Sequence, residues 1–370
     1  MKNISLFKVF MSDKCKEEIG LVLQSGFIGQ GPKVEEFEKL LRVYLETPYI
    51  NTVNSGTSAL HLAIHLIKEF ETTERNEIIS VPLTCTATNS SITTNKLKIK
   101  WADTDINTCN IDLADLENKI DEKTLAVMIV HWAGYPVDMN SLNQILDRAE
   151  AKFGYRPYII EDCAHAFGST YQGNKLGINN FAAYSFQAIK HLTTGDGGAL
   201  ICPNEYFHKK AKLLRWYGLD RTSEADFRCE QLIEEAGYKF HMNDIAATIG
   251  IENFKVINKI VSKHIENGKY LQENLKGVKL LESKPDRQSS HWIFTIMLDR
   301  RDDFVNYMKG KGIATSRVHD RNDKHPCFKE FSVDLPNTTY VCNNMICIPC
   351  GWWLEPQDIE YIAETVNRGW

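Results

Sequence analysis

Apolar residues first recur at helical spacing: Cys15, Ile19, Val22 and Leu23 share one face, and Ser25-Gly26 closes the run. Val34, Phe37, Leu40, Leu41 and Tyr44 form a second amphipathic face, so the spacing predicts two helices joined by a turn. The period then changes. Residues 49–53 predict a short strand, and Leu60, Ile64 and Ile67 place a helix after it. Strand-like runs follow at 78–82, 98–102, 126–130 and 158–160, with helical periods over 112–120 and 140–152 between them. This alternation indicates a largely parallel α/β sheet.

Further along, strands are expected at 181–186 and 197–201, then a Lys- and Leu-rich helix closed by Arg215-Trp216-Tyr217-Gly218. The charged segment 220–235 reads as a solvated helix or loop. A long helical pattern over 245–265 leads to strand-like runs at 278–281, 292–298 and 313–318, a helix near 303–309 and an amphipathic helix at 356–366. At 370 residues the chain exceeds the ~250–300 at which a single core divides. We therefore expect a large α/β domain over 1–250 and a smaller α+β domain over 251–370.

Composition adds exclusions. A net charge of −5 carries no basic footprint for nucleic acid. No apolar run reaches the ~18 residues of a membrane helix, and the N-terminal run is too short for a secretory signal. No nucleic-acid or membrane partner is expected, and a cytoplasmic location is. The cysteines are scattered singly and read as reduced thiols. Cys342, Cys347 and Cys350, with His319, His325 and Cys327 upstream, raise a zinc site. However, Cys347 and Cys350 flank Ile348-Pro349 in a strand-like run, where small thiols are commonly buried, and no metal is expected.

The chemistry concentrates around one stretch. The strand at 158–160 ends in Glu161 and Asp162, and charged groups at such strand ends reach the rim where α/β sheets bind ligands. A second apolar strand carries Ser185, and Lys190 lies just beyond it. Pyridoxal phosphate (PLP) needs an amine to hold it as a Schiff base, a carboxylate to keep its ring nitrogen protonated, and phosphate ligands. Lys190, Asp162 and Ser185 can supply these; the alternative is an ordinary strand-end ion pair. Asn54-Ser55-Gly56-Thr57-Ser58 joins a strand to a helix, which makes either an anion site at the helix N-terminus or a plain N-cap. Gly26-Phe27-Ile28-Gly29-Gln30-Gly31 mimics a dinucleotide loop, but no strand precedes it and Pro32 follows. Thr84 and Thr88 read as pocket or turn hydroxyls and are not counted as catalytic.

Taken together, Glu161-Asp162-Cys163-Ala164-His165, Ser185-Phe186 with Lys190, and Thr193-Thr194-Gly195-Asp196-Gly197-Gly198 resemble the DegT/DnrJ/EryC1/StrS family of sugar aminotransferases. The resemblance spans nearly the whole chain. It implies the fold-type I PLP aminotransferase architecture, α/β, with a large, mostly parallel mixed sheet domain and a smaller α+β C-terminal domain. It implies Lys190 as the Schiff-base lysine, Asp162 on the pyridine nitrogen, and Ser185 with Gly56, Thr57 and Ser58 on the phosphate. His165 is placed near the phenolic oxygen. Where the family usually stacks an aromatic residue on the ring, this chain has Cys85, expected to contact the ring face less tightly.

His131, in the His131-Trp132-Ala133-Gly134-Tyr135-Pro136 turn, is either a pocket-wall or a core histidine. In Gly237-Tyr238-Lys239-Phe240-His241-Met242, Lys239 or His241 stands where relatives reach a partner subunit's phosphate, so a homodimer with shared active sites is implied. Arg317, His319, Arg321 and His325 form a basic cluster, suited to a substrate's phosphates or carboxylate or else to a solvated loop. The implied reaction moves an amino group from glutamate to a nucleotide-linked keto-sugar, a 4-keto-6-deoxyhexose. The alternatives are a keto-cyclitol aminotransferase, a PLP-dependent sugar dehydratase (which carries His in place of the lysine; His191 is adjacent), and a non-catalytic PLP-binding regulatory protein.

Overall fold

A computed structural model describes residues 3–71, 74–221 and 230–370. Two helices open the chain, α1 (Cys15–Ser25) and α2 (Pro32–Tyr44), with Gly26 in the left-handed region ending the first. Then β1 (Ile50–Val53) runs into α3 (Gly56–Phe70), whose N-cap Ser55 accepts the Ser58 N–H. The pattern continues as β2 (Glu77–Ser80), α4 (Thr86–Thr94), β3 (Lys98–Trp101), α5 (Leu113–Lys119), β4 (Thr124–Val130), α6 (Met139–Phe153) and β5 (Tyr158–Asp162). A short hairpin, β6 (Thr170–Tyr171) and β7 (Asn174–Lys175), precedes β8 (Phe181–Ser185), β9 (Gly198–Ile201) and α7 (Glu205–Leu214).

Seven of these strands form one sheet in the order β1-β9-β8-β5-β4-β2-β3. The pairs from β8 through β5, β4 and β2 to β3 are parallel, and β9 runs antiparallel to both its neighbours. Alternate residues feed opposite faces. Ile79, Val127, Ile129 and Ile159 enter one core, while Ile78, Ala126, Met128 and Ile160 enter the other. Two covered faces explain why every residue of β4 is buried. Parallel register sets Val130 beside Asp162 at the carboxyl ends of the strands, the rim that the site uses.

The remaining elements are α8 (Asp244–Phe254), α9 (Ile257–Asn274), β10 (Lys279–Leu280), β11 (Arg287–Gln288), β12 (Phe294–Met297), α10 (Arg301–Gly310), α11 (Pro336–Asn344), β13 (Met345–Ile348) and α12 (Pro356–Asn367). Strands β10, β12 and β13 make a three-stranded antiparallel sheet over a third core that includes Phe304, Met308 and Ile362. No helix among the described residues is long and apolar enough to cross a membrane.

Two expectations are corrected. The pattern over 245–265 is two helices, broken at Lys255-Val256. The buried Asn253 amide accepts the Ser12 N–H and donates to the Thr193 carbonyl, so it is committed outside the helix where the chain turns. Residues 313–318 form no strand. They make single bridges, Ile4 to Ile313 and Ser316 to Cys347, and Val318 at φ 64° interrupts extended backbone. Of the charged stretch 220–235, residues 222–229 lie outside the described residues. Its ends are tied by the Gln231 amide, which bonds both the N–H and the carbonyl of Asp220.

Candidate active site

The carboxyl ends of β5 and β8, the start of α3 and the loop before α4 surround a cavity of about 640 Å³. Asp162, at the tip of β5, is buried on its wall. Its carboxylate accepts the Thr88 hydroxyl at 2.7 Å and the Ala164 N–H at 3.0 Å, and Thr88 bonds Thr84 at 2.9 Å. Burial pushes the Asp162 carboxyl above its ordinary range, while those donors and Lys190 pull against it. A buried carboxylate in that state favours a cationic partner.

Lys190 enters the same cavity from the turn after β8, where its own N–H bonds the Gln187 carbonyl. Desolvation pulls its ammonium down to about 8, opposed by Asp162 and Cys85. Its Nζ sits 3.6 Å from the centroid of the Trp292 ring. His165 stacks on the same indole at 4.0 Å and 19°. The Nε2 atoms of His165 and His319 are 3.3 Å apart. Burial holds His165 well below its ordinary value and His319 at about 4. Both rings are therefore neutral at pH 7, and one Nε2–H donates to the other bare nitrogen.

A third corner is built from Ser55, Gly56, Thr57 and Ser185. The first N–H groups of α3 have no helical partner, and the helix dipole adds positive potential, which suits a phosphate. Gly56 lets α3 approach β8 closely: a Cβ there would lie 3.0 Å from the Ser185 Cβ. At Gly198 a Cβ would lie 2.6 Å from the Gly56 nitrogen.

A basic amine, a buried carboxylate and an anion corner around one cavity are the elements of a PLP site. Comparison with known proteins decides the family: residues 11–367 match the DegT/DnrJ/EryC1/StrS aminotransferase family. The chain belongs to that family. Its fold is similar to the crystal structure of AtS13 from Actinomadura melliaura, 42% identical with a TM-score of 0.97 over 100% of both chains. It is also similar to the sugar aminotransferase CalS13 from Micromonospora echinospora, 37% identical with a TM-score of 0.94 over 99% of each chain. GDP-perosamine synthase of Escherichia coli O157:H7 is 28% identical, over 100% of this chain and 99% of its own. The protein is thus a PLP-dependent sugar aminotransferase of fold-type I architecture.

The cavity fits the family's cofactor on its own evidence. His165 Nδ1 is buried with no protein partner among the described residues, a polar atom left for a bound group. Gly56, Thr57, Cys85, Asp162, His165, Ser185, Lys190 and His319 all line the cavity. Cys85 stands exposed on its wall, at the N-cap of α4.

Other expected residues are placed elsewhere. Ser58 is turned to Asn54, whose side-chain oxygen accepts its hydroxyl at 2.6 Å. His131 is wholly buried, with Nδ1 accepting the Val137 N–H and Nε2 bonded to Glu161 at 3.0 Å, so both ring nitrogens are spent in the core. Arg321 is buried and grips both carboxylate oxygens of Asp323, at 2.7 and 2.6 Å. Arg317 pairs with Asp320 at 3.2 Å, and His325 is exposed. Lys239 and His241 flank the end of β1 through bridges to Trp216 and Val53, and neither lines this chain's cavity. Lys239 is exposed, and the His241 ring lies 3.5 Å from the Trp216 ring. His191 is buried, with Nε2 bonded to the Ser290 carbonyl.

The thiols raised for zinc do not assemble a ligand set. Among the described residues, the group with donor atoms in metal range is His131, Glu161 and Cys163. Glu161 there already accepts His131, the Gly177 N–H and the Asn180 amide.

Sequence reading passed over Trp292, Phe7 and the orienting role of Thr88. Trp292 and Phe7 carry no local motif.

Proposed function

We propose that the protein moves an amino group from glutamate to the keto carbon of a nucleotide-linked keto-sugar, a 4-keto-6-deoxyhexose. The observation that carries the chemistry is the single cavity holding the Lys190 amine, the Asp162 carboxylate and the Gly56/Thr57/Ser185 corner. Similarity to GDP-perosamine synthase supports a nucleotide-linked sugar. The apolar wall of Leu6, Phe7, Leu60, Ile189 and Val318 suits a deoxygenated sugar carbon.

Bound PLP supplies the electron sink for breaking a C–H bond beside the amino group. In this reading Lys190 would hold the cofactor through its amine and, once the donor's amino group had displaced it, the freed amine would take up a proton and give it back. A pKa near 8 suits a group that must do both near neutral pH. Asp162 would keep the ring nitrogen protonated, and Thr88 orients that carboxylate. The Gly56 and Thr57 N–H groups and the Ser185 hydroxyl would bind its phosphate. His165, whose Nδ1 is unpartnered among the described residues, would be free to bond the group, and Cys85 would be part of the wall around it. His319 would meet the substrate at the cavity wall, and Arg317, whose chain neighbours Ser316 and Val318 line the cavity, would have to leave Asp320 to reach its phosphates. We keep the division into a 1–250 domain and a 251–370 domain as part of this reading.

Incubation with glutamate, PLP and 4-keto-6-deoxy sugars carrying dTDP, UDP or GDP is expected to yield one amino sugar and an equal amount of 2-oxoglutarate, read by mass spectrometry. Amination of a keto-cyclitol but of no nucleotide sugar would overturn the substrate assignment.

The site is proposed to be completed by a second copy of the chain, with Lys239 or His241 reaching the partner's phosphate corner. The exposed Lys239 and its place beside Asn54, which donates to the Lys239 carbonyl at 3.2 Å, support this. Lys190→Ala chains and Lys239→Ala/His241→Ala chains, each inactive alone, are expected to regain activity when their subunits exchange. A monomer in sedimentation, or no recovery despite demonstrated exchange, rules the sharing out.

A further inference from the structure

We propose that Trp292 is a positioning residue for Lys190: its indole face is the resting platform of the Lys190 amine whenever that amine is not joined to the cofactor. This rests on reading Lys190 as the amine that carries PLP. The Nζ lies 3.6 Å from the Trp292 ring centroid, within the range at which an ammonium is drawn to an indole face. The same indole donates its N–H to the Ile189 carbonyl at 2.9 Å, the peptide group directly before Lys190. One side chain thus holds both the backbone and the tip of the lysine.

The platform itself is fixed. Trp292 is 2% exposed, stacked by His165 at 4.0 Å and by Phe7 at 5.0 Å. It comes from the stretch just before β12, about a hundred residues beyond Lys190 in the chain.

The groups around the amine show why such a platform matters. Asp162 and Cys85 favour its charged form, whereas His165, His319 and His191 face it as neutral imidazoles. An amine that must leave the cofactor, carry a proton and return is ill served by a tight ion pair with Asp162. A cation–π contact accepts the charged amine without locking it by hydrogen bonds, and leaves Asp162 for the ring nitrogen.

The test is Trp292→Phe, which keeps a ring but weakens its face and removes the N–H to Ile189; Trp292→Tyr replaces it if circular dichroism shows misfolding. In the full-length, cofactor-free chain, the Lys190 pKa is read by carbon NMR of labelled lysine and assigned by its loss in Lys190→Ala. Losing cation–π stabilisation is expected to lower that pKa by about half a unit. In the loaded enzyme kcat is expected to fall about threefold, with both KM values within about twofold. A merely structural role would admit water and raise the pKa towards its ordinary value, so a rise overturns the proposal, as does an unchanged pKa with unchanged kcat. Failure of the underlying reading is separate: a borohydride-trapped PLP adduct would then persist in Lys190→Ala.

Discussion

Lys190→Ala is expected to lose essentially all turnover, a fall of at least about 10⁴-fold in kcat, while still binding PLP without a covalent link. Positioned proton transfer alone contributes ~10²–10⁴-fold, and the variant also loses the amine that holds and releases the cofactor. The phosphate corner at Gly56, Thr57 and Ser185 is untouched, so cofactor remains measurable by absorbance after gel filtration. Borohydride is expected to trap PLP on wild type and not on the variant. The wild-type amine also makes a pH prediction. Burial places its pKa at about 8, and only the neutral amine attacks an aldehyde. Covalent uptake of PLP by the cofactor-free protein should therefore accelerate as pH rises through about 8 and then level off. A midpoint near 10 would mean that the amine is solvated.

Asp162→Asn carries the second large effect: kcat is expected to fall about 10²–10³-fold with PLP still bound, the scale on which one preorganised electrostatic partner is lost. An amide keeps the shape and an oxygen for the Ala164 N–H, with its NH2 towards the Thr88 hydroxyl as acceptor, but it offers no charge to a protonated ring nitrogen. Stability should move the other way. Burial raises the Asp162 pKa in the folded protein, so above the unfolded value near 3.9 the charged side chain is a cost to the cofactor-free fold. Removing that charge should leave the Tm of the cofactor-free protein unchanged or higher, and reduce the gain in Tm on adding PLP. A near-wild-type kcat would sink the role of Asp162, and a large fall in the cofactor-free Tm would mean that the carboxylate is needed for the fold.

The sequence was most legible where contacts are local or periodic. The change from helical spacing to short continuous apolar runs located the strands of the large sheet, because a strand covered on both faces is buried along its whole length, as β4 is. Asp162 could be read as a rim carboxylate because a parallel strand delivers its last residue there. Ser55-Gly56-Thr57 was readable because a helix start exposes its own N–H groups. Periodicity faltered where direction changes without a change of period. The 245–265 run keeps its apolar spacing across the Lys255-Val256 break, and only the packing of Asn253 shows the turn.

Residue type and motif by themselves pointed to PLP chemistry: a lysine, a strand-end carboxylate and a Ser-Gly-Thr helix start, each set by its neighbours in the chain. Tertiary structure alone decided which polar residues are free to act. Arg321 and His319 look alike as basic residues two positions apart, yet Asp323 claims the first and the cavity receives the second. His131 could be a wall or a core residue by sequence, and Glu161 and Val137, which take both its nitrogens, make it a core one. Trp292 meets Lys190, and Phe7 meets Trp292, only through the folding of distant segments. A side chain's hydrogen bonds and ion pairs are exhausted by whichever partner the fold brings within about 3 Å, and that partner is not written in the local sequence.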